Sequence, residues 1–329
     1  MKLVVLGCGR VGRAAASALV SAPTVEGVEG VERLWLYDPS RTVAEGAVEV
    51  VGGPSRLRTA PDFGDCDAAL VAAPAGRFAD YLDAARLLDV PVVCTADTVD
   101  DVRSILRRAG TAGPGAPAVV AGMTPGLSCL LARHAADQLD RVDEIHVAKA
   151  GTGGPACART HHAALKAWAA DWRESDWWQR PGGTGRQLVH FPEPVGPRDC
   201  YRAGLPETFV LHRAFPEASR ITARVAATRR DRLTSRLPML RRPHADGGPG
   251  GTRVEVWGRR DGESVVLVYA AAGTPSVIAG TVAATALRWR VAGRISPGMV
   301  SLAELADTVG FLADLDRAGV RVAVYEGVF

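Results

Sequence analysis

The run VVLGCGRVGR, from Val4 to Arg13, constrains the fold more than any other feature of the chain. Gly7, Gly9 and Gly12 form the pattern G-x-G-x-x-G directly after an apolar run and directly before a helix-like segment, so a strand, a tight turn and a helix must succeed one another without a linker. Each glycine has its own task. Gly7 allows the turn, Gly9 lets the backbone come close to a pyrophosphate, and Gly12 lets helix and strand pack closely. Free N–H groups at the helix start would hold the phosphates.

The chain keeps this rhythm as far as residue 121. Short β-branched runs (Leu3–Leu6, Leu34–Tyr37, Ala68–Ala72, Val92–Thr95, Ala118–Ala121) alternate with amphipathic stretches (Val11–Val20, Val43–Val51, Arg77–Leu88, Val99–Ala109). Continuous apolar strands are buried on both faces, which predicts an α/β class with a doubly wound parallel sheet of the Rossmann type. Beyond residue 121 the texture changes. The pattern predicts a helix at Leu127–Leu139, a strand at Glu144–Ala150, a long helix containing HHAALKAWAADW, and strands at Thr208–His212, Ile221–Ala227, Thr252–Arg259 and Ser264–Ala271. Asp261-Gly262 marks a hairpin between the last two, and Ser276–Val291 reads as a helix. This second part is an α+β domain on a mainly antiparallel sheet. The expected division is 1–122 for the dinucleotide-binding domain, completed by helices from about 275–305, and 123–274 plus 306–329 for a substrate and dimerisation domain. The segment Arg229 to Gly251 is the candidate for a mobile loop.

Composition excludes several classes. Lys and Arg number 39 against 36 Asp and Glu, a net charge of +3, and exposed aromatics are not interleaved with the basic residues, so no nucleic-acid role is expected. Apolar runs fall short of the roughly 18–20 residues of a membrane helix, and MKLVVLGCGR has no cleavage site, so no membrane association is expected and the cytoplasm is the expected location. Six cysteines without a CxxC pair read as free thiols, and no metal site is expected. The lysines are Lys2, Lys149 and Lys166 alone, against abundant arginine.

Asp38 closes the second strand, LWLYD. A carboxylate there accepts hydrogen bonds from ribose hydroxyls and repels a 2′-phosphate, which favours NAD; Ser40 and Arg41 just beyond leave NADP open. Ligands of open α/β sheets bind outside the carboxyl ends of the strands. The candidate cofactor residues are therefore Gly7, Gly9, Arg10, Val11, Gly12, Asp38, Arg41, Ala73, Pro74, Thr95 and Ala96. Asp97, at the same edge, is a candidate catalytic group and equally a helix N-cap for TVDDVRSIL.

With GCGRVGR, the strand end CTAD, AGMTPGLSCLLA at the domain junction and GTPSVIAG before the late helix, the chain resembles the saccharopine dehydrogenase family over nearly its whole length. Gly122, Pro125 and Gly126 match the family's junction, while Thr124 stands where an acidic residue is frequent. The resemblance implies hydride transfer between a nicotinamide cofactor and a carbon–nitrogen bond of an amino-acid-derived substrate, in a homodimer that pairs through the second domain. Such chemistry needs a proton donor near the nitrogen and cations for substrate carboxylates. The stretch KAGTGGPACARTHHAALKAWAADWRESDWW adds candidates for both tasks. His161, His162 and Lys166, with Asp97 from the first sheet, are the catalytic candidates; Lys149, Arg159, Thr124 and Gly126 are the candidates for a carboxylate-bearing small molecule. On a helix, His162 and Lys166 would share a face, as would Trp168 and Trp172; the tryptophans equally suit interface packing, and one histidine equally suits the core. GCGRVGR also looks like the opening of regulatory NAD-binding domains of potassium-uptake systems, where nothing is reduced. A family member that binds nucleotide without turnover is the third possibility.

Overall fold

The computed structural model describes residues 1–21, 30–111, 118–239, 243 and 247–328. Its first half is built around β1 (Lys2–Leu6), which is buried from Leu3 onward and runs straight into the glycine turn and α1 (Arg10–Ser21). Then come β2 (Arg33–Tyr37), α2 (Arg41–Val51), β3 (Ser55–Leu57), β4 (Ala68–Val71), α3 (Phe78–Leu87), β5 (Val92–Cys94), α4 (Val99–Thr111) and β6 (Val119–Val120). All six strands pair in parallel in the order β3-β2-β1-β4-β5-β6. This is the doubly wound order that places the carboxyl ends of β1 and β4 on either side of the switch point.

The junction Gly122–Gly126 leads into α5 (Leu127–Ala136) and the second sheet. That part comprises β7 (Arg141–Ala150), α6 (Pro155–Lys166), β8 (Trp168–Arg173), β9 (Asp176–Pro181), β10 (Gln187–His190), β11 (Pro197–Arg202), α7 (Glu207–Ala214), β12 (Arg220–Ala226), α8 (Arg229–Thr234), β13 (Gly250–Arg260) and β14 (Glu263–Gly273). After it come α9 (Pro275–Val291), a 3₁₀ turn at Leu302–Glu304, α10 (Thr308–Arg317) and β15 (Ala323–Val328). The sheet runs β10-β11-β12-β7-β13-β14-β15, with the β8–β9 hairpin attached to β12; β12 and β7 are parallel and the other pairs antiparallel. The expected two-sheet α/β plus α+β class is what the chain adopts. The Asp261-Gly262 hairpin forms with both residues at positive φ, 54° and 83°.

Three expectations need correction. The helix through HHAALKAWAADW stops at Lys166, and Trp168–Arg173 is a strand. Gly182 and Gly204 press against the backbone of residues 164–168, and Gly204 N–H bonds the Ala164 carbonyl at 2.9 Å, so the chain turns extended at Ala167. Thr208–His212 is helical, within α7: Pro206 and Glu207 start a helix whose buried positions Glu207, Thr208, Val210 and Leu211 share one face. The segment Arg229 to Gly251 opens with a short helix, α8, started by a capping box in which Thr228 and Asp231 bond each other's backbone N–H. Residues 240–242 and 244–246 of that segment lie outside the described residues.

The helix α9, buried along nearly its whole length, lies against α1 so closely that a Cβ on Gly280 would meet the backbone nitrogen of Ala15 at 2.5 Å. That contact holds the helix that starts at the glycine turn.

Candidate active site

A cleft of about 810 Å³ opens along the carboxyl edge of β1, β4 and β5 and is closed on its far side by β7, the loop after it, and α6. The glycine turn forms its floor. Gly7 sits at φ +94° and donates its N–H to the Tyr37 carbonyl at 2.8 Å. A Cβ on Gly12 would run into the Gly7 carbonyl oxygen, whereas a Cβ on Gly9 would touch nothing within 4 Å. Gly7 and Gly12 are therefore required by the turn itself, and Gly9 faces open space, which is where a bound phosphate needs backbone without a side chain.

At the end of β2, Asp38 is held by two backbone N–H groups, Cys8 at 2.9 Å on Oδ2 and Ser40 at 2.9 Å on Oδ1. Its carboxylate stays beside the glycine turn. Arg41, in contrast, is exposed on α2 and bonds Glu45 at 2.7 Å; it does not line the cleft. Ala73, Pro74 and Thr95 line the cleft at the ends of β4 and β5, and Ala96 is buried behind it. The loop after β4 is tied down because Asp101 accepts the Gly76 N–H, at 3.0 Å to Oδ2, and the Thr98 hydroxyl at 2.6 Å. Thr98 in turn accepts the Asp101 N–H at 3.3 Å, so the start of α4 is capped by Thr98, and Asp97 is left to the cleft.

The second sheet brings its groups to the opposite wall. Two glycines of the loop after β7, Gly151 at φ +77° and Gly154 at φ +131°, let it turn back over α1. Added Cβ atoms on Gly153 and Gly154 would lie 3.2 Å from Val11 Cγ2 and 3.1 Å from Arg10 Cγ. These glycines serve the close approach of the two loops. From α6, Thr160 donates its hydroxyl to Asp97 Oδ2 at 2.9 Å, and Cys157 and His161 line the same wall. Lys149, on the face of β7 turned to the cleft, has its Nζ 3.5 Å from Glu207 Oε1. Burial raises the Asp97 carboxyl above the ordinary aspartate range, against the lowering pull of the Lys149 ammonium. Burial and the same ammonium bring His161 down to about 4, leaving its imidazole neutral at pH 7, with Nδ1 buried and unbonded among the described residues. Burial, then the neighbouring Asp97, push the Cys157 thiol up to about 12.

Of the residues singled out from the sequence, Gly7, Gly9, Arg10, Val11, Gly12, Asp38, Ala73, Pro74, Thr95, Asp97, Thr124, Lys149 and His161 meet in this cleft. His162 does not: one helical position on, its Nε2 turns to the Leu237 carbonyl at 2.9 Å. Lys166 and Arg159 do not line the cleft either. Gly126 is set back from the cleft; at φ +138° it packs against the Gly122 backbone, just after the cis Thr124–Pro125 bond, and lets the junction fold on itself. Sequence reasoning missed Tyr37, Arg77, Tyr81, Cys157, Thr160 and Leu205, all on the cleft. Thr160 and Cys157 lie in the stretch already suspected, and a helical wheel through His161 would have found both. Nothing local signals Leu205.

No family model matches the chain, and no curated protein matches it in sequence. Among solved structures, its fold is similar to that of saccharopine dehydrogenase (L-Glu forming) from Saccharomyces cerevisiae, with a TM-score of 0.72 over 99% of this chain and 100% of that one, at 13% identity. It is also similar to the amine dehydrogenase from Mycobacterium smegmatis, with a TM-score of 0.50 over 93% of this chain and 96% of that one, at 12% identity. The likeness is one of fold. The resemblance read from the glycine turn and the junction motif thus extends to both sheets and their order along the chain.

Proposed function

We propose that the protein is an NAD-dependent oxidoreductase that moves a hydride to or from a carbon–nitrogen bond of an amino-acid-derived substrate. The observation that carries this reading is the composition of the two cleft walls: an open, side-chain-free glycine turn with a fixed Asp38 on one, and Lys149, Thr160 and His161 beside Asp97 on the other. Nicotinamide dinucleotide fits the first wall. Gly7, Gly9, Arg10, Val11 and Gly12 would hold the pyrophosphate, Asp38 the adenosine ribose, and Ala73, Pro74 and Thr95 would border the nicotinamide end. When bound, the cofactor supplies the hydride. With Asp38 pinned and Arg41 turned to Glu45, the site favours NAD over NADP.

On the second wall, Asp97 is the proton donor in this reading. Its burial favours the protonated carboxylic acid, and it lies at the strand edge that borders the reacting end. His161, neutral, serves as a hydrogen-bonding group, and Lys149 supplies the cation for a substrate carboxylate or carbonyl. Thr124 lines the cleft at the position where the resemblance to the saccharopine dehydrogenase family implies an acidic residue, and a substrate that differs in polarity there belongs to the same proposal. His162, Lys166 and Arg159 have no part in this assignment. The domain division at about residue 122 is proposed with it, supported by the packing of α9 onto α1. A cytoplasmic homodimer belongs to the same proposal, the dimer resting on the resemblance to the saccharopine dehydrogenase family; no helix among the described residues is long and apolar enough to cross a membrane.

The test is a titration of the purified protein with NADH and NADPH by nicotinamide fluorescence, followed by absorbance assays with pairs of 2-oxo acids and amines. NADH should bind at least tenfold more tightly than NADPH and be oxidised by some pair in the panel. Binding of neither nucleotide at millimolar concentration would remove the reading. Binding without turnover across the panel would leave the nucleotide sensor in its place.

A further inference from the structure

Lys149 is one of three lysines in a chain whose other basic residues are arginines, so a compact ammonium stands where the chain's habitual cation is a guanidinium. It is nearly buried, with 12% of its side chain exposed, and its ion-pair partner among the described residues is Glu207. Glu207 is wholly buried, and neither carboxylate oxygen makes a hydrogen bond among the described residues. A buried pair this loosely bonded is poor stabilisation; apolar side chains of the same volume would serve the core as well or better. Its arrangement has a different consequence, which is to fix the ammonium on the cleft wall.

The carboxylate itself is fixed from behind. Glu207 stands in the first turn of α7, and an aromatic clamp grips that helix: Phe209 stacks on Trp177 with centroids 4.7 Å apart, and His212 lies on Trp172 at 3.9 Å. Trp172 donates its indole N–H to the Ala218 carbonyl at 2.9 Å, and Arg103 of α4 lies over the Phe209 ring at 5.0 Å. Leu205, two residues before Glu207, lines the cleft. The ammonium therefore has two carboxylates in its surroundings, Glu207 behind it and Asp97 across the cleft wall, whose titration it affects.

We propose that Glu207 is a positioning residue that acts through Lys149: by holding the ammonium back on α7 it keeps Lys149 from closing onto Asp97 and presents it to the substrate in one orientation. What the ammonium meets rests on the oxidoreductase reading; the holding itself does not. Without Glu207, Lys149 turns to Asp97, the acid is engaged, and turnover falls while the nucleotide still binds.

The three lysines make the test direct. In protein labelled with ¹³C at the lysine ε carbons, the two ε protons of a held Lys149 should give separate signals, whereas those of exposed Lys166 average to one. Glu207→Gln should collapse the Lys149 pair towards the averaged position, leave NADH affinity within threefold, and lower kcat at least tenfold with a smaller change in KM. The double variant Lys149→Met/Glu207→Leu should fold with a Tm no lower than the parent and lose turnover at least a hundredfold. An averaged Lys149 signal in the parent overturns the proposal, as does a Lys149 signal unchanged by Glu207→Gln. So does an apolar double variant that turns over like the parent, which would make the pair structural only. If the parent binds no NADH, the oxidoreductase reading fails, and the lysine signals still decide whether Glu207 holds Lys149.

Discussion

At the scale of single residues, the glycine turn separates two roles that one motif combines. A methyl on Gly12 has no room beside the Gly7 carbonyl, while a methyl on Gly9 has nothing to strike. Gly12→Ala should destabilise the fold by roughly 3 kcal/mol or more. Gly9→Ala should keep its stability to within about 1 kcal/mol, yet lose at least tenfold in NADH affinity; urea denaturation and fluorescence titration check both. If Gly9→Ala binds NADH normally, the phosphates do not sit where proposed. His161 gives a pH signature of defined sign. Its folded-state value of about 4 is below the ordinary 6.5, so its contribution is fully present above pH 6.5 and is lost as pH falls from there through 4. His161→Gln should flatten the loss of stability across that window by an amount on the order of 2–3 kcal/mol, measured as urea midpoints at pH 7 and pH 4.5. An unchanged pH slope would show that the imidazole is not desolvated as described.

At the scale of elements, the strand-turn-helix units of the first sheet were readable because periodicity and glycine punctuation agree there. They disagree in the second part. The letters WAADW continue a helical pattern, but Gly182 and Gly204, far along the chain, occupy the space a continued helix would need. The β8–β9 hairpin then seats Trp172 against His212. Conversely, TFVLH is rich in strand formers, yet Pro206 and the burial of Glu207, Thr208, Val210 and Leu211 on one face make it α7. The α1–α9 contact is an element-scale device of the same kind, a small-residue seam that admits two helices at close range. Gly280→Val should wedge it apart and cost about 2–4 kcal/mol, seen as a lowered Tm; a neutral effect would mean that α9 shifts freely and does not fix α1.

At the scale of the whole molecule, one continuous apolar core joins Leu3, Val5 and Leu70 of the first sheet to Ile145, Val254 and Leu267 of the second. Both halves of the chain contribute to it, so heat should unfold the protein in a single calorimetric transition, and two resolved transitions would contradict that continuity. The cleft lies along the same junction. NADH at a hundred times its Kd should therefore raise the stability of the whole fold by about 2.7 kcal/mol. The sequence by itself determined the parallel β/α order, the glycine turn, Asp38 at the end of the second strand and the hairpin at Asp261-Gly262, because each is marked by a local pattern of apolar period, glycine or strand end. Only the tertiary structure decided that His161 faces the cleft and His162 does not, that Arg41 turns away, that Thr160 meets Asp97, and that Glu207 stands behind Lys149. Those outcomes depend on which faces of α6 and α7 are covered, and segments distant in the chain supply the cover.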